Sequence, residues 1–398
     1  MLKWRFCALS LLLLLITACG TENQPNSSST TASSPDTGRL QTVKNRGKLI
    51  CGINGEVPGF SFVNEKGEYS GLDVQICRAI AAALFNDPSK VEYRKLSPQE
   101  RFTAVQTGEV DILSRNTTWT INRDTALGME FITPVFYDGQ GIMATKASNI
   151  KKLEDLSGKS ICVLSGTTTE QNLADAMAKA AVQGYKPIVS DDVEALYTAY
   201  QAGRCQAVTS DRSQLVARRS VFPRPQDHQL LEVVISKEPL APAVADGDPA
   251  WSNAVRSIVF SLIQGEEFGI NSQNIATFAD SKDPSIRRFL GIDEKLGEDM
   301  GLPNDFAQRV LKKVGNYGEI YDREIGKPLQ LDRGLNNLWT KGGLLSWVRT
   351  LNGKEIQIET RKPHSINTDG EITSTTPAIF RVIPAAIGVY IPRQKTQS

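Results

Sequence analysis

Residues 114–124 read SRNTTWTINRD, a stretch that places two arginines, three threonines, asparagine and a tryptophan within eleven positions. Arginine carries a rigid, permanently charged fork of donors, and threonine and asparagine add short polar groups beside it. Such a set could hold an anionic small molecule. It could also be a polar loop whose threonines satisfy backbone groups while its arginines face water. The stretch follows the apolar VDIL and precedes MEFITPVFY, both of which read as buried strands, so the donors lie between two core elements.

Other chemistries have little to build on. The chain has two histidines, His228 and His364, and neither HExxH nor GxSxG occurs. The Gly-Lys-Ser of LSGKS lacks the first glycine of a phosphate loop, because position 153 is Leu153. A net charge of +1 with acids and bases interspersed gives no electrostatic reason to expect nucleic acid as a partner. No metal and no cofactor is expected.

The N-terminus reads as an address. Lys3 and Arg5 precede an apolar run from Cys7 to Ala18, too short to span a bilayer but proportioned as a secretory signal over residues 1–18. The run ends in ITAC, which resembles a lipobox and would make Cys19 a lipidated first residue; an ordinary signal peptide cut near TACG is the alternative. Residues 21–40 are rich in Ser, Thr, Asn and Pro and read with Cys19 as a flexible tether over 19–40. At that length a coil reaches on the order of 25 Å, which would keep the body close to a membrane.

About 350 residues remain, more than one hydrophobic core usually serves, so two lobes are expected. From Gly47 short apolar runs alternate with helical segments in a βαβα rhythm, which implies a mostly parallel sheet flanked by helices. A second round begins near Ile150 on the same plan, each round opening with a strand that contains a cysteine. The chain then returns through LEVVISKEPLAPAV to the helical WSNAVRSIVFSLIQGEEF and NDFAQRVLKKVG. Two extended connections between lobes make a hinge, and a hinge makes a cleft. The expected organisation is a first part of lobe 1 over 41–143, lobe 2 over 144–236, a return to lobe 1 over 237–344, and an unassigned tail over 345–398. With Cys7 in the signal and Cys19 in the lipid site, four cysteines remain. Three pairings are open, and the positions favour Cys51 with Cys77 and Cys162 with Cys205, each within one lobe.

The segments LICGINGEVPGFSF, YSGLDVQICRAIAAALF, ERFTAVQTGEVDILSRNTTWTINRD, ICVLSGTTTEQNLAD, AYQAGRCQAVTSDRSQL and GLNNLWTKGGL resemble the periplasmic solute-binding proteins of ABC importers for polar amino acids, bacterial extracellular solute-binding family 3. The likeness runs from about Gly47 to Leu344 and is nearest the general L-amino-acid-binding branch. It implies a monomeric receptor, without enzymatic activity, in the periplasm or on the outer face of the cytoplasmic membrane. The receptor would take free L-amino acids and deliver them to a permease driven by a separate ATPase. By the same resemblance Arg123 is the clamp for the ligand carboxylate, with Asn116 and Thr118 beside it. Thr168 supplies a second carboxylate contact and Asp211 accepts the ammonium group. Phe60, Glu56, Trp119 and Tyr137 are candidates to wall the pocket, although aromatic and apolar residues at such places more often belong to the core. The local alternatives are helix caps at Asn116, Thr118 and Asp211, and bracing of a carboxylate by Arg115. Lys95, Gln99 and Arg101 carry no assignment. A dehydratase-like enzyme acting on small carboxylates is the alternative on the same fold, with Glu56 and Asp211 as its candidate acid or base.

Overall fold

The computed structural model describes residues 38–346 and, beyond them, the strands Glu355–Ile358, Ser365–Thr368, Glu371–Thr375, Ala378–Val382 and Tyr390–Arg393. The expectations at Cys19 and the signal lie outside the described residues.

The first lobe opens with β1 (Leu49–Ile53), nearly all buried, as a strand covered on both faces must be. Helix α1 (Leu72–Phe85) follows, with apolar side chains through most of its length in the core. Its start is set by Gly71, whose φ of 115° and close approach leave no room for a side chain: a Cβ there would lie 2.2 Å from the Phe60 carbonyl oxygen. Its end is Asn86, in the left-handed region at φ 55°. Strand β2 (Val91–Lys95), helix α2 (Arg101–Gln106), strand β3 (Ile112–Leu113), helix α3 (Ile121–Thr125) and strand β4 (Met129–Phe131) complete the outward pass.

The chain leaves through β5 (Phe136–Asp138). The second lobe comprises β6 (Gln140–Thr145), β7 (Ser160–Leu164), helix α4 (Thr168–Lys179), β8 (Lys186–Ser190), helix α5 (Val193–Gln201), β9 (Ala207–Asp211), helix α6 (Arg212–Ser220) and β10 (His228–Leu230). Because β6 continues directly from the hinge strand, the second sheet opens at Gln140, ahead of the boundary expected at residue 144. The return runs through β11 (Glu238–Leu240) and β12 (Ala243–Ala245) to α7 (Pro249–Glu267) and α8 (Phe306–Lys313), which pack against α1.

Both sheets are five-stranded and built alike. The first has the order β2-β1-β3-β12-β4, the second β8-β7-β9-β6-β10. β1 in the first sheet and β7 in the second are parallel to both neighbours, and in each sheet one antiparallel strand, β12 or β6, is inserted where the chain crosses between lobes. Between the sheets β5 and β11 lie side by side, antiparallel, with Phe136 opposite Leu240 and Asp138 opposite Glu238. These are the two extended hinge segments of a two-lobed α/β fold. Cys51 and Cys77 are bonded, tying β1 to α1, and Cys162 and Cys205 tie β7 to the turn before β9. Each bridge stays inside its lobe. In the tail the described strands form two small antiparallel sheets.

Candidate functional site

The stretch after β3 runs along the return hinge strand. Trp119 N–H donates to the Pro239 carbonyl at 2.8 Å and Ala241 N–H to the Thr117 carbonyl at 2.9 Å. This antiparallel bridge turns the N–H and C=O of Thr118 itself to the opposite side. There the carbonyl accepts from Arg123 Nη1 at 2.8 Å, so the guanidinium and the Thr118 N–H face one region. The cap of α3 is Thr120, whose hydroxyl accepts from Arg123 N–H at 3.2 Å. Asn116 and Thr118 therefore do not cap it. Asn116 stands at φ 39°, a region asparagine tolerates better than most residues. Its N–H donates to Asp73 Oδ2 at 3.0 Å, while its buried Oδ1 has no partner among the described residues.

On the second lobe the caps are again neighbours of the proposed ligand contacts. Thr167 caps α4 by accepting from Glu170 N–H, which leaves Thr168 at the first helical position with its hydroxyl free for other work. Asp211 precedes α6 but makes no capping bond. Asp138, from hinge strand β5, does that work instead, accepting from Ser213 N–H at 3.2 Å and from the Ser213 hydroxyl. Asp211 accepts from Gln214 Nε2 at 2.5 Å and lines the cleft.

One cavity between the lobes gathers these groups. The first lobe contributes Asn54, Arg101, Arg115, Asn116, Thr118 and Arg123; the second contributes Leu164, Thr167, Thr168, Thr169, Ser210, Asp211 and Gln214. The lobes touch around it. Gln99 Nε2 donates to Ser165 Oγ at 2.5 Å, Arg101 Nη2 to the Gly166 carbonyl at 3.2 Å, and the Thr118 and Thr168 hydroxyls are 3.4 Å apart. Five of the six expected ligand contacts thus line one cavity. Phe60 does not. It is 1% exposed in the first-lobe core and packs edge-on against Phe136 at 5.1 Å between centroids, because an apolar ring beside the α1 start gains more from that core than from a polar cleft.

Arg101 is the residue that sequence reasoning passed over. It begins α2, where a cation runs against the helix dipole, and that misfit was the available signal. Its Nε has no partner among the described residues. The three arginines of the cavity hydrogen-bond neutral oxygens: Arg101 the Thr117 hydroxyl and Gly166 carbonyl, Arg115 the Leu96 carbonyl at 2.7 Å, and Arg123 the Thr118 carbonyl. The Phe102 ring lies 4.8 Å from the Arg101 guanidinium carbon and 5.4 Å from that of Arg123, offering its face to both cations.

Burial pushes all three guanidinium pKa values down, that of Arg115 to about 10, with the Asp73 and Glu56 charges opposing the shift at Arg115. Asp211 is pushed well above the ordinary carboxyl range, first by burial and then by the charges of Asp138 and Glu238. Three arginines against one carboxylate leave the lining formally at +2 (3 − 1). Directly behind that lining stand two further carboxyl groups, Asp73 on the Asn116 N–H and Glu238 on the Thr118 and Thr168 hydroxyls. Among the described residues no cluster of three or more His, Cys, Asp and Glu is placed to hold a metal ion.

Two α/β lobes on a paired-strand hinge, with a charged cleft between them, define a two-lobed binding protein. The chain belongs to the bacterial extracellular solute-binding proteins, family 3, whose pattern residues 49–273 match. It is 49% identical over 317 residues to the general L-amino acid-binding periplasmic protein AapJ of Rhizobium johnstonii, covering 79% of this chain and 93% of that one. It is 44% identical over 310 residues to the glutamate/glutamine/aspartate/asparagine-binding protein BztA of Rhodobacter capsulatus, covering 77% and 91%. Among solved structures, a periplasmic binding protein from Brucella ovis with glutathione bound superposes with a TM-score of 0.75 at 47% identity, covering 77% of this chain and 97% of that one.

Proposed function

We propose that the protein is the extracytoplasmic substrate-binding component of an amino-acid ABC importer, closing on a free L-amino acid in the interlobe cleft and handing it to a membrane permease. The observation that carries this reading is that Arg123 and Asp211, a cationic fork and a carboxylate, line one cavity from opposite lobes. An amino acid presents a planar carboxylate and an ammonium group on one carbon. Arg123 and the Thr118 N–H take the carboxylate, with the start of α4 at Thr168 approaching it from the other side, and Asp211 takes the ammonium. Since each lobe holds one end, closure is favoured when both ends are present, and the ligand is itself the bridge.

Within that class we infer a preference for a second acidic or carboxamide group. Arg123 is committed to the backbone carboxylate, and Arg115 is balanced by the nearby charges of Asp73 and Glu56. Arg101, with its unpartnered Nε, is left for the ligand side chain. The relative named for glutamate, glutamine, aspartate and asparagine, and the structure with glutathione bound, fit this reading.

Relatives named as periplasmic also support a periplasmic site, and the tether reading adds a lipid anchor at Cys19, which labelling with a radioactive fatty acid and Cys19→Ala would test. Among the described residues no helix is long and apolar enough to cross a membrane. Calorimetric titration with the twenty amino acids should give binding without turnover. Conversion of any bound ligand would instead favour the dehydratase-like alternative, with Asp211 as its acid or base.

A further inference from the structure

Glu238 lies on hinge strand β11 and is 1% exposed. Four donors converge on its carboxylate. Oε2 accepts from the Thr118 hydroxyl at 2.5 Å and from the Thr168 hydroxyl at 2.9 Å; Oε1 accepts from Asn172 Nδ2 at 2.8 Å and from the Ser236 hydroxyl. Thr118 comes from the first lobe, Thr168 and Asn172 from the second.

A carboxylate can accept but not donate, and a hydroxyl has one proton. Both threonine protons are therefore directed at Glu238, and both oxygens are left with lone pairs. The two oxygens stand 3.4 Å apart on the wall of the cleft that also holds Asp211. Neither can donate to a ligand carboxylate, so any carboxylate contact at Thr118 or Thr168 must come from the backbone N–H. What the oxygens can do is accept. An ammonium group has three protons, and Asp211, Thr118 Oγ1 and Thr168 Oγ1 are three acceptors on that lining, one charged and two neutral.

We propose that Glu238 is a positioning residue for ammonium recognition: by taking the hydroxyl protons of Thr118 and Thr168 it sets both oxygens as acceptors toward the ligand. The inference rests on the reading of the cleft as an amino-acid site. It adds that discrimination against ligands without an amino group is controlled from the hinge by a residue that does not itself line the cavity. An amide at 238 could present its NH₂ to the threonines, freeing their protons to turn toward the ligand and making the oxygens equally suited to a hydroxyl.

The test is selectivity, since a packing role would not move it. Wild type, Glu238→Gln and Thr168→Val are titrated by calorimetry with L-glutamate, L-glutamine and their 2-hydroxy counterparts, and each protein's fold is checked by circular dichroism. The wild type should favour each amino acid over its hydroxy counterpart by a large ratio. In Glu238→Gln that ratio should shrink at least tenfold, the amino acids weakening far more than the hydroxy acids. Equal loss for both ligand types would overturn the proposal and leave Glu238 a structural residue. Should Glu238→Gln not fold, Thr168→Val decides: it deletes one acceptor and should lower the ratio in the same direction, whereas an unchanged ratio overturns the proposal. A wild type that binds neither amino acid would overturn the reading of the cleft and this proposal with it.

Discussion

Asp138 and Glu238 stand opposite each other in register across the two hinge strands, so the ribbon that joins the lobes carries a pair of facing carboxylates. Like charges at directly opposed positions repel. The pair is tolerated because each carboxylate is occupied elsewhere: Asp138 by the start of α6, Glu238 by the threonines of the cleft. Burial, with the Glu238 charge adding to it, nonetheless pushes Asp138 up to about 6. By capping α6, Asp138 also relieves Asp211 of that duty.

The charged ends of the ligand should be separable by mutation. Truncating one partner of a buried, hydrogen-bonded charge pair costs about 2–5 kcal/mol, or roughly 30-fold to several thousand-fold in affinity. Arg123→Ala and Asp211→Ala should each lose that much in calorimetry while keeping the far-ultraviolet spectrum of the wild type. Arg123→Lys should also bind weakly, since a point charge cannot replace the fork. Near-normal affinity in Arg123→Ala would return residues 114–124 to the status of a polar loop, with Arg115 the next clamp to examine.

Arg101→Met should act on the ligand side chain. Dicarboxylic amino acids should lose roughly 10-fold or more in affinity, and amino acids with small neutral side chains should change little. A uniform loss across ligands would mean that Arg101 serves only to tie α2 to Gly166 across the rim.

Binding should be coupled to proton release. The carboxyl of free Asp211 titrates above its ordinary value of 3.8, and an ammonium placed against it favours the charged form. Ligand binding must then expel a proton wherever free Asp211 is protonated, so affinity rises with pH and falls as the solution is acidified. Titration in buffers of different ionisation enthalpy reads the proton directly, and Asp211→Asn should abolish this contribution.

Asp73, buried at the start of α1, is raised from 3.8 to about 7 by burial, against the opposing Asn116 N–H and Arg115 charge. A carboxyl raised in the folded state contributes stability at low pH that is lost as pH climbs through its folded value. Asp73→Asn should therefore gain on the wild type between about pH 4 and pH 7, by at most about 4 kcal/mol, since each pH step of one between those values is worth roughly 1.4 kcal/mol. Melting curves from pH 5 to 8 check this; a constant difference would count against it.

The bridges close loops whose ends are 26 and 43 residues apart, so loop entropy assigns them about 3.5 and 4 kcal/mol. Reduction should lower the melting temperature substantially. Ligand affinity measured well below that temperature should be nearly unchanged, because neither bridge crosses the hinge.

Element type was legible in the chain because it follows from local pattern. The alternation of short apolar runs with helical segments became alternating strands and helices, and the repeated plan of the two rounds became two sheets of the same strand order. The cysteine positions likewise anticipated the two bridges, since strand and neighbouring element are close in sequence. The assignment of individual side chains was not local. Whether Asp211 capped its own helix depended on Asp138, 73 residues earlier (211 − 138), arriving on the hinge strand. Phe60 looked like a wall because the order of residues does not say which side of a turn faces the core, and Phe136 decided that. Arg101 and Glu238 looked generic because their significance is set by long-range geometry: one is brought beside Gly166 of the other lobe, the other beneath Thr118 and Thr168 at once. Periodicity reports on neighbours along the chain, whereas the cleft is built from segments more than a hundred residues apart, which the hinge brings within hydrogen-bond reach.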